Sequence, residues 1–281
     1  MTSGARAAAL HTRGMRGTLR HAARSAWLVG VLSACGDPPS APPPAPVLPA
    51  ALTIGSACDP ASDRCGPQGR CCQPCCAKDA APVCALPDAT GACPRPDLVV
   101  RDSLVTSSLT PDVTFLAPDS CAVQMGCVAA PGTRELLRFT TSTQNAGAGT
   151  FYLGKPDAHP DTFQWSACGQ KWRLDGYEVF RLVDAKGQVV ARGKKAGYCL
   201  MDAMDAAGTG RKPRYTCGEQ GITPGWADLY ANRDDCQWVD VTDVPDGDYT
   251  LEIEVDPEHR WTESDEANNV TRVPVHLGAS K

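Results

Sequence analysis

Fifteen cysteines in a chain of 281 residues are the first feature with chemical consequence. Eight of them, Cys58, Cys65, Cys71, Cys72, Cys75, Cys76, Cys84 and Cys93, crowd into residues 54–95. Thiols at that density form disulfides, hold zinc or exchange electrons. Cys72-Gln73-Pro74-Cys75 has a spacing that suits all three uses. It lies between Cys-Cys pairs in a segment with almost nothing apolar to build a core, so structural bridges are the expected use. Their connectivity is open. A second cluster is Glu263, Asp265, Asn268 and Asn269, four oxygen donors within seven residues. Hard donors of this kind suit Ca²⁺. The same residues also suit an acidic hairpin turn with left-handed asparagines. The histidines are singles: His11 and His21 near the start, then His159, His259 and His276. None has the context of a Ser-His-Asp triad, and no glycine loop for phosphate is present.

The elements that must position these residues are bounded by composition. Hydrophobic residues make up 42% and charged residues 21%, enough for a globular core. A formal charge of −5 excludes the basic surface that neutralises phosphates, so nucleic acid is not an expected partner. Residues 1–34 hold five arginines and no acid, then a short apolar run, as a secretory signal does. Met15 is an alternative start that gives a more usual signal length. Leu32-Ser33-Ala34-Cys35 resembles a bacterial lipobox. That resemblance implies a diacylglycerol on Cys35 and a lipid-anchored protein of the bacterial cell envelope. The membrane, through the lipid, and an envelope or extracellular protein are the partners it implies. Residues 35–53 carry seven prolines and read as an extended spacer. Residues 54–95 read as a small disulfide-rich module.

Residues 96–281 carry period-two patterns. In 248–256, Tyr249, Leu251, Ile253 and Val255 fall on one face. Residues 135–143, 176–184 and 188–192 read as further strands, the last two joined by a turn at Ala185-Lys186-Gly187. Residues 270–276 close the chain, with Pro274 suggesting an edge strand. Long capped helices are absent. The expected class is all-β, an immunoglobulin-like β-sandwich core with long irregular loops. Residues 200–235 lack a clear period, and a loop of that length is usually functional or stapled.

Within this domain several stretches occur in order. They are Gly193-Lys194-Lys195-Ala196-Gly197-Tyr198-Cys199-Leu200, then Asp228-Leu229-Tyr230, then Asp235-Cys236-Gln237-Trp238. Glu263-Ser264-Asp265-Glu266-Ala267-Asn268-Asn269 comes last. Their order and spacing resemble the catalytic domain of lysyl oxidase over roughly residues 96–278. The resemblance implies oxidation of primary amines, such as the ε-amine of peptidyl lysine, to aldehydes. It also implies Cu(II) and a lysine tyrosylquinone. By position, Lys195 and Tyr230 resemble the two halves of the quinone crosslink and Asp228 the general base. A quinone carbonyl takes up substrate amine and a base removes the α-proton.

The family's three copper histidines fall at Gly169, Lys171 and Arg173. Glycine offers no donor, and protonated lysine and arginine have no lone pair for a metal. Copper and the quinone are therefore expected to be absent. The domain then reads as a binding or structural relative of the enzyme; an active copper/quinone amine oxidase is the alternative. The resemblance also implies that Cys121 pairs with Cys127 and Cys168 with Cys217. Because the family brings the Lys195 and Tyr230 neighbourhoods together, Cys199 is expected to pair with Cys236. In the family the acidic stretch forms a calcium site with an Asp-Leu near the domain start. Asp97 and Leu98 match it, alongside Glu263, Asp265, Asn268 and Asn269.

Overall fold

The computed structural model describes residues 55–278 apart from 63, 78 and 196. The signal, Cys35 and the proline spacer lie outside the described residues. The chain is mostly β-sheet with an N-terminal disulfide-rich region. Among the described residues the α-helices are short, Asp102–Ser108 and Cys121–Gln124.

In the disulfide-rich region the strands Arg70–Cys72 and Val83–Ala85 pair antiparallel. Disulfides join Cys58 to Cys71, Cys65 to Cys84, Cys72 to Cys93 and Cys75 to Cys76. All eight cysteines of the segment are thus bridged. Its strand Cys75–Cys76 runs parallel to Phe151–Gly154, which pairs on its other side with Gln220–Ile222.

One four-stranded antiparallel sheet has the order Val189–Lys194, Glu178–Val183, Gly247–Val255, Val270–Leu277. Strict alternation places it. Leu251, Ile253 and Val255 are fully buried, while Glu252 and Glu254 face outward and pair with Arg272 and Arg181 at 2.7 and 2.5 Å. Pro274 does lie on an edge strand, where a missing N–H costs no ladder bond. A second sheet orders Met204–Asp205, Trp226–Tyr230, Thr141–Asn145 and Leu98–Val100. A third orders Trp238–Asp240, Gly132–Arg138 and Thr110–Leu116. The core between them holds Leu98, Phe139, Phe151, Phe180, Leu182 and Trp261, with Phe139 and Phe180 edge-to-face at 4.8 Å.

The stretch 200–235 is less irregular than its sequence suggests. The buried Asp202 carboxylate accepts the backbone N–H groups of Arg214, Tyr215 and Thr223 and the Thr223 hydroxyl. One acid thus gathers three parts of the loop, which periodicity cannot report.

The disulfides of the main domain differ from those expected. Cys121 pairs with Cys168, Cys127 with Cys236, and Cys199 with Cys217. The expected Cys121–Cys127, Cys168–Cys217 and Cys199–Cys236 bridges do not form. The reason is chain direction. After Tyr198 the chain turns toward Gln220, whose side-chain oxygen accepts the Leu200 N–H, so Cys199 meets Cys217. Cys236 instead leads into Trp238, whose indole N–H donates to the Cys127 carbonyl.

Candidate functional site

Two strand registers build the site. Val179 pairs with Lys194, so the next antiparallel position sets Glu178 beside Lys195. In the second sheet Thr141 pairs with Tyr230 and Thr143 with Asp228, which puts all four on one face. The faces meet inside the protein. Lys195 Nζ lies 2.8 Å from Glu178 Oε2, with the side chains 1% and 0% exposed. The ammonium donates to Thr141 Oγ1 at 2.9 Å and sits 3.5 Å from the centre of the Tyr230 ring. Thr143 donates to Glu178, Gln237 donates to Thr141, and the Tyr230 hydroxyl donates to the Tyr198 carbonyl.

The electrostatics follow from burial. Desolvation pushes the Asp228 carboxyl up to about 7; Lys195 opposes that rise and Glu178 adds to it. One Asp228 oxygen accepts the Met201 N–H, while the other has no partner. Desolvation first, then Asp228, holds the Tyr230 phenol well above its usual range. Tyr177 is raised likewise, by desolvation and then by Glu178, and its buried hydroxyl has no partner. The structure brings Lys195, Tyr230 and Asp228 together. Glu178, Thr141, Thr143 and Gln237 complete the site and were not anticipated. Glu178 carried a readable signal: it is a charged residue in phase with the buried Phe180 and Leu182.

The copper positions lie on another sheet, in the strand Lys171–Leu174 and the turn before it. This strand pairs with Gln164–Ser166 and, through Arg173 and Tyr198, with Gly197–Tyr198. A Cβ placed on Gly169 would lie 2.6 Å from the Tyr198 hydroxyl oxygen. That hydroxyl packs on Met125 Sδ at 2.8 Å and Ser166 Oγ at 3.0 Å. Arg173 is bonded to Gln164 and Asp175, and Lys171 is exposed. These residues do not fit copper: they lack lone-pair donors, and Tyr198 fills the room a ligand at 169 would need. His159, His259 and His276 pair with Asp79, Glu266 and Asp248 respectively. The sulfurs of Cys58, Cys65 and Cys71 lie within 4.8 Å of one another, a cysteine grouping of the kind that holds metals. All three are in disulfides, so that grouping offers no thiolate while oxidised.

The calcium candidates converge for the most part. Glu263 accepts the Leu98 N–H, Asn268 donates to Asp97 Oδ1 at 2.9 Å, and Asn269 donates to Glu263 Oε1 at 2.9 Å. The side-chain oxygens of Asn268 and Asn269 are buried without a donor. Desolvation, reinforced by Glu266 and Asp256, pushes the Glu263 carboxyl up to about 7. Orphaned amide oxygens beside a carboxylate that resists ionisation are what a bound hard cation would relieve. Asp265 stands apart, exposed and accepting the Ala267 N–H of its own turn.

The lysyl oxidase family model matches residues 96–280, and this chain belongs to that family. It is 35% identical over 192 residues to human lysyl oxidase homolog 1, covering 64% of this chain and 33% of that protein. It is 36% identical over 188 residues to zebrafish lysyl oxidase homolog 3B, covering 63% and 23%. Human lysyl oxidase homolog 4 is 35% identical over 187 residues, covering 62% and 24%. The chain thus spans a third or less of the length of these curated relatives. They also correct the expectation of a lipid-anchored protein of the bacterial cell envelope: they are vertebrate proteins, and none supports that placement.

Proposed function

We propose that this chain is a lysyl-oxidase-family domain that has left copper catalysis and serves a binding or structural role. One observation carries the reading: the Tyr198 hydroxyl occupies the space that a side chain at position 169 would need. Arg173, bonded to Gln164 and Asp175, and the cationic Lys171 support it. The seven disulfides among the described residues favour work in an oxidising compartment. In this reading residues 54–95 are a stapled module and 96–281 the family domain, its core an immunoglobulin-like β-sandwich. Asp97, Glu263, Asn268 and Asn269 would hold a structural calcium ion that ties the Leu98–Val100 strand to the 263–269 turn. The test is elemental analysis, with quinone absorbance and a redox-cycling stain, on protein produced with added copper. The expected result is well under one copper per chain and no quinone signal. Copper near one per chain with a quinone signal would overturn the reading.

The second reading, an active amine oxidase, is favoured by the 3.5 Å approach of Lys195 Nζ to the Tyr230 ring. Asp228 sits beside both, and its carboxyl, at about 7, suits a base that takes a proton from carbon next to an amine.

A further inference from the structure

The Lys195 side chain ends in a complete cation site. A carboxylate, Glu178, lies at 2.8 Å, and a hydroxyl, Thr141, accepts at 2.9 Å. The Tyr230 ring face is 3.5 Å away, with the Tyr177 and Phe180 rings at 5.9 and 6.0 Å. A buried carboxylate with aromatic faces around it is how proteins recognise organic ammonium groups, since each supplies negative potential where water is excluded. The register that brings Glu178 beside Lys195 belongs to one sheet, and Thr141 and Tyr230 belong to another. The lysine therefore crosses from its own sheet to fill a site made by two.

We propose that Lys195 is an internal ligand. Its ammonium group occupies a site for primary ammonium ions formed by Glu178, Thr141 and Tyr230, and thereby closes that site to amines from outside. Glu178 is the positioning residue: it holds the nitrogen over the ring by an ion pair instead of a bond to the ring. Removing one member of so buried a pair leaves the other charge without compensation. An outside ammonium ion of the right size should then be taken up in the lysine's place. This inference rests on the proposed function, because a chain that crosslinked Lys195 to Tyr230 would have no free ammonium to place.

The experiment uses the full chain. Lys195→Ala removes the internal ligand and leaves Glu178 and the rings. Thermal unfolding is followed with n-butylammonium chloride and, in parallel, n-butanol, which has the same shape without the charge. The expected result is a lowered Tm that about 50 mM butylammonium raises saturably by roughly 3–6 °C, with no rise from butanol. The parent protein and Lys195→Ala/Glu178→Gln should not respond. An equal response to butanol, or an equal response in the double variant, would overturn the proposal. Should Lys195→Ala yield no folded protein alone, it is refolded with and without the amine. Recovery only with amine supports the proposal, and recovery in neither overturns it. Peptide mapping of the parent separates the two levels. A joined Lys195–Tyr230 peptide would sink the functional reading. Separate peptides in the parent, with no amine response in Lys195→Ala, would sink the internal ligand alone.

Discussion

Asp228 keeps its proton to about pH 7 in the folded protein, against 3.8 for the free group, because burial disfavours the anion. Across the window from about pH 4 to 7 the folded state holds a proton that the unfolded state has lost. Stability therefore falls as pH rises through that window, by up to about 4 kcal/mol. Asp228→Asn should flatten this decline, read from denaturant unfolding at several pH values; an unchanged slope would refute the assignment. Gly169 gives a second prediction. Gly169→Ala should cost roughly 1–3 kcal/mol through the clash with Tyr198. Tyr198→Leu should remove most of that cost in a double-mutant cycle, whereas purely additive effects would show the two residues to be independent. At this scale the unsuitability of positions 169, 171 and 173 as copper ligands was legible from residue type alone, since glycine, lysine and arginine offer no lone-pair donor. The ion-pair partner of Lys195 was missed because Glu178 lies 17 residues away in sequence and becomes a neighbour only through strand register.

Among the elements, the turn 263–269 and the strand Leu98–Val100 depend on each other. Glu263 accepts the Leu98 N–H, and Ser264 donates its N–H to the Pro96 carbonyl. A calcium ion here would bind the folded state alone and stabilise it by mass action. Saturating calcium should raise Tm by about 5–10 °C relative to chelator-treated protein. Glu263→Gln should abolish most of that response, and a full response in the variant would place the ion elsewhere. The strands that were easiest to read, such as Gly247–Val255, have one face in the core and one in solvent, so the period of two is visible. Thr141–Asn145 was harder. It is largely buried and polar: Thr141 and Thr143 serve the site, while Asn145 donates to the Gly149 and Ile222 carbonyls. Disulfide pairing was misread because it depends on how loops leave their strands, as at Cys199 and Cys236, both in left-handed backbone.

For the molecule as a whole, the bridges differ greatly in reach. Cys127–Cys236 joins residues 109 apart, while Cys75–Cys76 joins neighbours. In the chain-entropy account the long closure is worth about 4–5 kcal/mol and the short one almost nothing. Replacing Cys127 and Cys236 by serine should lower Tm far more than replacing Cys75 and Cys76, and equal losses would argue against that account. The short strand Cys75–Cys76 matters in another way. It flanks Phe151–Gly154, whose Phe151 and Leu153 are almost wholly buried. A polypeptide beginning at residue 96, where the family match begins, would bare that flank: a row of unpaired amides and carbonyls over apolar side chains. Such an edge recruits strands from other molecules. The shortened chain should self-associate more than the full chain in size-exclusion chromatography, and equal elution behaviour would argue against this role. The cysteine-rich segment would then be, for its neighbour, a guard against aggregation.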